Sequence, residues 1–373
     1  MNLGEETLAS SKVLKKEVQL SDCIEFEEND LEIEIKTMKS LHEEGLTGGR
    51  WTFLVLKNSS SFIIGNNHNW LKLYEDNNQL YFENLRDSRI TIKGLVYIDF
   101  LDCYLLGYND AIYRKDVDDK APYLYINLSC GQNSRDWFTY SKLNQRLIAP
   151  YDFDGYSVDI GLINLKKKQM DMVFFGGSTN EVQIIQDLKM FGKKEDKFVY
   201  LNSDLKLVLL WLNFRPLKIC VKSEYKIEKI EDRRESGLSV EVCGQGKYII
   251  AALRLGGARL PFHGECFHSR MIILELRGHL FVRLDTLDQS NQIGLIMSIR
   301  FWRRVGKHVL WVGLSKRDGF VYDFNTESRQ VRELNNKRFR HQEVYPLKMH
   351  SLGDEDWYYS GGRGRLMALS LSI

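Results

Sequence analysis

The hexapeptide HGECFH carries His263, Glu265, Cys266 and His268, the densest set of metal-ligand side chains in the chain. Imidazole, thiolate and carboxylate can all bind zinc. In a strand, however, side chains alternate, so His263 and Glu265 share one face while Cys266 and His268 share the other. The hexapeptide also follows RLGGARLP, which reads as a loop between strands. Zinc-site spacing is missing, so the expectation is a loop with a buried cysteine and no metal. A second candidate is YDFDGYSVD, with Asp152, Asp154, Gly155 and Asp159. Calcium takes about six to eight oxygen ligands, and Tyr156 and Ser157 follow the glycine where a further early ligand is needed. A solvated turn is therefore expected there. For hydrolysis the chain has no G-x-S-x-G, H-E-x-x-H or P-loop pattern. Asp354, Glu355 and Asp356 fall in a polar turn, and no residue is assigned a catalytic role or a cofactor.

Positive charge is grouped at Lys166–Lys168, in FWRRVGKH (Arg303, Arg304, Lys307, His308), in NNKRFRH (Lys337, Arg338, Arg340, His341) and in GGRGR (Arg363, Arg365). Forked guanidiniums beside glycine N–H groups suit phosphate. The plain reading of these clusters is a solvated rim. The alternative is an anionic ligand, phosphoinositide or RNA, held by Arg303, Arg304, Lys337, Arg338 and Arg340. That alternative requires the arginines of the three segments to converge on one rim.

Composition narrows the classes. The 373 residues carry 52 basic and 50 acidic side chains, a net charge of +2, so no global field drives the chain onto nucleic acid or membrane. Six cysteines are scattered without a C-x-x-C pair, which reads as reduced thiols in a cytoplasmic or nuclear protein. The N-terminus has no apolar h-region, and the longest apolar run, Leu207 to Leu212, is too short to cross a bilayer. No transmembrane segment is expected.

These side chains must be positioned by strands. Aromatic residues reach 12%, glycine is plentiful at 28 and proline scarce at 5, which favours strands and turns over helices. One shape recurs: an apolar strand, a glycine, a polar turn and a second strand. It occurs at SFIIGNNHNWLKLYE, CYLLGYNDAIYRKDV, MVFFGGSTNEVQIIQDL, HVLWVGLSKRDGFVYDF and WYYSGGRGRLMALSL. The strand-ending glycines are Gly65, Gly107, Gly176, Gly313 and Gly361, and their spacing fits a repeat of roughly 40–50 residues. Weaker copies are expected between Gly176 and Gly313, giving units at 48–88, 92–130, 155–202, 205–232, 237–287, 291–336 and 343–373. The stretch 131–150 reads as an insertion or as extra strands on the third unit. A four-stranded antiparallel sheet cannot bury both faces alone, but it can when packed radially against neighbours. The last unit stops one strand short, and the alternating segment Leu31 to Met38 is expected to supply that strand. The division is thus a tail, 1–30, and one domain, 31–373.

The segment from Gly313 through Asp318-Gly319 and Tyr322-Asp323 to Thr326 resembles a WD-repeat, with Tyr322 in the place often held by tryptophan and Asp323 in that of the aspartate. The resemblance covers about 31–373 and implies an all-β, seven-bladed β-propeller. The Gly-His pair of that family is absent from every copy, so its His–Asp–Ser/Thr–Trp hydrogen-bond network is not expected. FWRRVG resembles the Phe-Arg-Arg-Gly signature of phosphoinositide-binding propellers, with Trp302 inserted and Val305 before the glycine. The Asp152–Asp159 segment similarly resembles the calcium loops of integrin-type propeller blades.

The function expected is a non-catalytic scaffold that binds other proteins within a larger intracellular assembly. Its binding residues are expected at turn tips after the glycine-ended strands, which should share one face: His68, Asn69, Tyr108, Asp110, Arg317, Arg363 and Arg365. An enzyme with a site in the central channel is a further reading, and it requires clustered carboxylates or a metal there.

Overall fold

The computed structural model describes residues 32–40, 52–55, 61–65, 69–76, 79–87, 94–107, 111–116, 123–127, 138–151, 159–174, 185–229, 235–243, 246–255, 269–288, 298–314, 318–334, 339–340, 348–352, 355–360 and 365–372. They are nearly all strand and tight turn, with a 3-10 segment at Asp99–Leu101. Among the described residues the strands form seven antiparallel sheets, six of four strands and one of five.

Sheet one comprises Thr52–Val55, Ser61–Gly65, Asn69–Asp76 and Gln79–Asp87. Sheet two comprises Gly94–Ile98, Cys103–Gly107, Ala111–Asp116 and Tyr123–Asn127. Sheet three is Thr139–Ser141, Arg146–Tyr151, Asp159–Asn164 and Gln169–Phe174. Sheet four is Ile185–Phe191, Lys197–Asn202, Lys206–Phe214 and Leu217–Lys226. Sheet five is Glu235–Cys243, Tyr248–Leu255, Ser269–Arg277 and Leu280–Asp288. Sheet six is Ser298–Val305, His308–Leu314, Asp318–Asn325 and Gln330–Glu333, and Phe339–Arg340 pairs with Asp318-Gly319. Sheet seven is Lys348–Leu352, Glu355–Ser360 and Arg365–Ser372, with Glu32–Ser40 as its outer strand.

The sheets are arranged radially through their first strands. Those of sheets one and two touch, as do those of two and three, four and five, five and six, six and seven, and seven and one. Sheets three and four join through a shared core in which Ile148, Ile160 and Leu162 meet Ile185, Leu188 and Phe198. The strand period decides which side chain serves which neighbour. In the second strand of sheet five, Ile249 and Ala251 pack toward sheet four, while Ile250 and Ala252 pack toward sheet six. Because both faces of a sheet are covered, middle strands are apolar throughout. In Lys206–Phe214 every residue from Leu207 to Leu210 is buried, whereas the outermost strand, Leu217–Lys226, exposes residues such as Lys218, Lys222 and Glu224.

The turns follow a local rule. Asn164, Asn202 and Asn325 each end a strand and accept two backbone N–H bonds through Oδ1, at 2.8–3.2 Å. Each turn then closes with a left-handed residue: Lys168, Leu205 and Arg329, at φ 55°, 62° and 60°. The asparagine side chain supplies the acceptor that a tight turn otherwise lacks.

The outer strand of sheet seven is the one expected from Leu31 to Met38. Glu32–Ser40 pairs antiparallel with Arg365–Ser372, placing Ile33 opposite Leu371 and Ile35 opposite Leu369, with one irregularity between Thr37 and Lys39. The middle of the chain differs from expectation. Residues 139–151 supply the first two strands of sheet three, and sheet four runs from Ile185 to Lys226 across the expected boundary at 202–205. The cause is position 176, which follows the fourth strand of sheet three and not a second strand. The apolar run LKLVLLWLNF is accordingly the third strand of sheet four and does not open a new unit.

Candidate functional site

Successive antiparallel strands reverse direction, so the turns of a sheet fall on two faces. The first-to-second and third-to-fourth turns share face A, and the second-to-third turns share face B with the connections between sheets. This parity sorts the basic clusters. Lys166–Lys168 form the third-to-fourth turn of sheet three, and Arg303 and Arg304 end the first strand of sheet six, so both clusters belong to face A. Arg340 pairs with Asp318 at the start of a third strand and Arg365 begins another, so both belong to face B. The arginines named for an anionic ligand are therefore divided between opposite faces. Lys337 and Arg338 lie outside the described residues.

At the end of the FWRRVGKH cluster, His308 is not a surface cation. It is buried at the start of the second strand of sheet six, where Nδ1 meets the Asp323 carboxylate at 2.9–3.0 Å. Arg332 donates to the same carboxylate through Nε at 3.2 Å and Nη2 at 3.1 Å. On the opposite face of the sheet Tyr322 stacks on Trp311, with ring centroids 5.7 Å apart. A His–Asp contact thus forms in the segment that resembles a WD-repeat, although no Gly-His pair precedes the sheet. Arg303 lies over the Trp302 ring at 5.7 Å, and exposed Arg304 donates to the Gly306 carbonyl.

The first strands, which surround the axis, carry a ladder of charge. Asp187 of sheet four accepts from Ser239 Oγ at 2.8 Å and from the Val240 N–H at 3.0 Å, both on sheet five. Glu241 of sheet five faces Lys189 of sheet four at 3.6 Å and Arg300 of sheet six at 3.5 Å. All four charged side chains are about four-fifths buried or more. Asp187 and Glu241 thus bind an amide, a hydroxyl and cations of neighbouring sheets. The ladder ties sheets four, five and six together.

A shallow pocket of about 330 Å³ lies at the face-A end of this ladder, lined by Lys189, Phe191, Lys193, Glu241 and Gly246 among others. Gly246 has φ +95°, and a Cβ placed there would come within 2.2 Å of the Phe191 ring. Gly246→Ala should lower stability by about 2 kcal/mol, the sum of left-handed strain and overpacking. Urea unfolding measures this, and pairing the change with Phe191→Leu should recover the overpacking share, about half of the loss, and leave the backbone strain. Recovery within error of zero would show that the ring contact is not the cause.

Among the described residues no group of three His, Cys, Asp or Glu can hold a metal ion. His263, Glu265, Cys266 and His268 lie outside the described residues, as do Asp152, Asp154 and Gly155. Asp159 is buried where it opens the third strand of sheet three. Burial pushes the Cys103 thiol up to about 11 and that of Cys243 well above its ordinary value, so neither is a nucleophile at neutral pH.

Of the residues expected to bind a partner, His68, Tyr108, Asp110, Arg317 and Arg363 lie outside the described residues. Asn69 and Arg365 each begin a third strand and so reach face B. The exposed large apolar side chains tell of the other face. Leu143 sits in the first-to-second turn of sheet three, Leu280 follows the third-to-fourth turn of sheet five, and Tyr123 and Leu124 begin the fourth strand of sheet two, all at face A. Sequence inspection passed over Leu143 and Leu280. Their signal was an apolar residue inside a polar turn, in SKLNQR and RGHLF.

No protein-family model matches the chain, and no curated protein matches its sequence. Solved structures match it as a fold. A chain of a Saccharomyces cerevisiae complex of dbp5 with nup159, gle1, IP6 and ADP aligns at TM-score 0.61 and 12% identity, covering 92% of this chain and 96% of that one. The N-terminal domain of Nup159 aligns at 0.60 and 13% identity, covering 92% and 96% respectively. The Cps50 (Swd1) β-propeller domain of Myceliophteria thermophila aligns at 0.54 and 10% identity, covering 91% and 100%. At these identities the likeness is one of fold, and the chain folds as a β-propeller.

Proposed function

We propose that the chain is a non-catalytic scaffold, a seven-bladed, WD-repeat-like propeller spanning 31–373, that holds a protein partner on face B within an intracellular assembly. The observation that carries this reading is topological. Asn69 and Arg365 begin the third strands of sheets one and seven, and in the sequence His68, Tyr108, Asp110, Arg317 and Arg363 fall between the second and third strands of sheets one, two, six and seven. Those four sheets are consecutive around the ring through their first strands. Arg340, paired with Asp318 at the start of a third strand, adds to the same arc. A face so charged suits an acidic segment of a protein, with Tyr108 as an aromatic anchor. The fold likeness supports the reading, since one solved match comes from an assembly of nup159 with dbp5 and gle1. Among the described residues no helix is long and apolar enough to cross a membrane.

The test is co-purification from native extract of the intact chain and of a variant carrying Arg317→Glu, Arg363→Glu and Arg365→Glu. A protein recovered with the first and lost with the second, at equal yield and equal melting temperature, is the expected result. Recovery of the chain alone, or of the same proteins with both, would rule out this face.

A further inference from the structure

We propose that face A is a membrane-docking surface for anionic lipid, with Leu143 and Leu280 as its apolar tips. The proposal is independent of the scaffold reading, because it concerns the opposite face. It begins with the turn Lys142–Gln145, whose Leu143 is 63% exposed. That turn is not a loose loop. The Leu143 N–H and Ser141 Oγ both donate to Glu195 of sheet four, at 3.0 and 2.9 Å, and Asn144 Nδ2 donates to the Lys194 carbonyl at 3.0 Å. These bonds bolt the leucine tip to the turn that carries exposed Lys193 and Lys194. On sheet five, Leu280 is 68% exposed beside the turn Gly278–His279.

Lysines stand in exposed turns of the same face. Lys166, Lys167 and Lys168 form one exposed turn of sheet three, and Lys193 and Lys194 form another on sheet four. Three acidic groups of the face are matched locally: Asp99 with Lys142 at 2.8 Å, Glu275 with Lys247 at 3.7 Å and Glu327 with Lys307 at 3.4 Å. The turn of Lys193 and Lys194 also carries Glu195 and Asp196, so the positive excess of the two turns rests on Lys166, Lys167 and Lys168.

The chemistry of the occupant follows from shape. A leucine exposed at a turn tip presents its side chain outward. It suits a soft apolar phase that closes around it, as the acyl boundary of a bilayer does. Lysine, a compact point charge without a fork, fits diffuse attraction to an anionic leaflet better than bidentate recognition of one phosphate. Two leucine tips and a lysine excess on one rigid face supply the two signals that stable peripheral binding needs.

Flotation of the full chain with phosphatidylcholine vesicles, with and without about 30 mol% phosphatidylserine, tests the proposal at low and moderate salt. Binding is expected only with phosphatidylserine. Removing one lysine weakens attraction to an anionic leaflet by roughly fivefold, so Lys166→Glu with Lys167→Glu should reduce partitioning more than tenfold. Leu143→Ser with Leu280→Ser should also weaken it and leave a residue that vanishes at moderate salt. Thermal melts equal to that of the parent show that the variants fold. Absence of binding to phosphatidylserine vesicles, equal binding to both vesicle types, or indifference to the charge reversal would each overturn the proposal. So would binding of heparin or poly(U) without vesicle binding, which assigns the face to a dissolved polyanion.

Discussion

Asp323→Ala should destabilise the protein by about 3–5 kcal/mol, the loss typical when one member of a buried charged group is removed. Asp323 is fully buried and is the acceptor for both His308 and Arg332. Its removal leaves the His308 ring, also buried, without that acceptor. Asp323→Asn keeps the volume and one acceptor oxygen, so it should cost less than alanine. His308→Phe replaces a polar group by an apolar one and should cost least if Arg332 alone can hold the carboxylate. Guanidinium unfolding of the three variants orders these terms. A loss below 1 kcal/mol for alanine would mean that solvent reaches the site and the carboxylate is not a structural centre.

Deleting residues 1–40 should lower the melting temperature by ~10 °C or more, as expected when several kcal/mol of strand pairing is lost. The deletion removes Glu32–Ser40 and with it the whole ladder to Arg365–Ser372. That strand then becomes an edge with unpaired N–H and C=O groups, open to pairing between chains. Deleting 1–12 is the control, because it leaves the ladder intact and should melt like the parent. Limited proteolysis provides an independent reading, with early cuts expected before residue 32 and none within 32–40. If the long deletion melts like the intact chain, ring closure does not depend on this strand. Increased aggregation with an unchanged melting point would point to edge protection as its main service.

The two variants probe features that were unequally visible beforehand. The closing strand could be read directly, because LEIEIK alternates and the last unit lacked a strand. The His308–Asp323 contact could not. His308 follows two arginines and a lysine, and in a linear reading it joins that basic cluster. Only the pairing of His308 with Asn325 and of Leu310 with Asp323 places the ring beside the carboxylate. The stretch 131–150, which reads as an insertion or as extra strands on the third unit, holds strands of sheet three that are hard to place from sequence for a related reason. Thr139–Ser141 is three residues long, too short for its period to show, and its second strand ends at Tyr151 without the glycine that marks other copies.

What the sequence determined by itself is local: strand type, turn position and closure. Alternation separates inner from outer strands, and asparagine at a strand end marks a turn through its own side-chain acceptor, as at Asn164 and Asn325. These signals act within a few residues of the chain, where propensity and side-chain period are effective. Which groups meet was left to the tertiary structure. Ser141 and Glu195 are 54 positions apart, Asp187 and Ser239 are 52 apart, and Arg300 and Glu241 are 59 apart, yet each pair is in contact between sheets. The assignment of Lys166–Lys168 to face A and of Arg365 to face B likewise depends on strand parity around the ring. Neither distance nor parity leaves a trace in a short window, since both arise only when complete sheets pack radially and bury their two faces together.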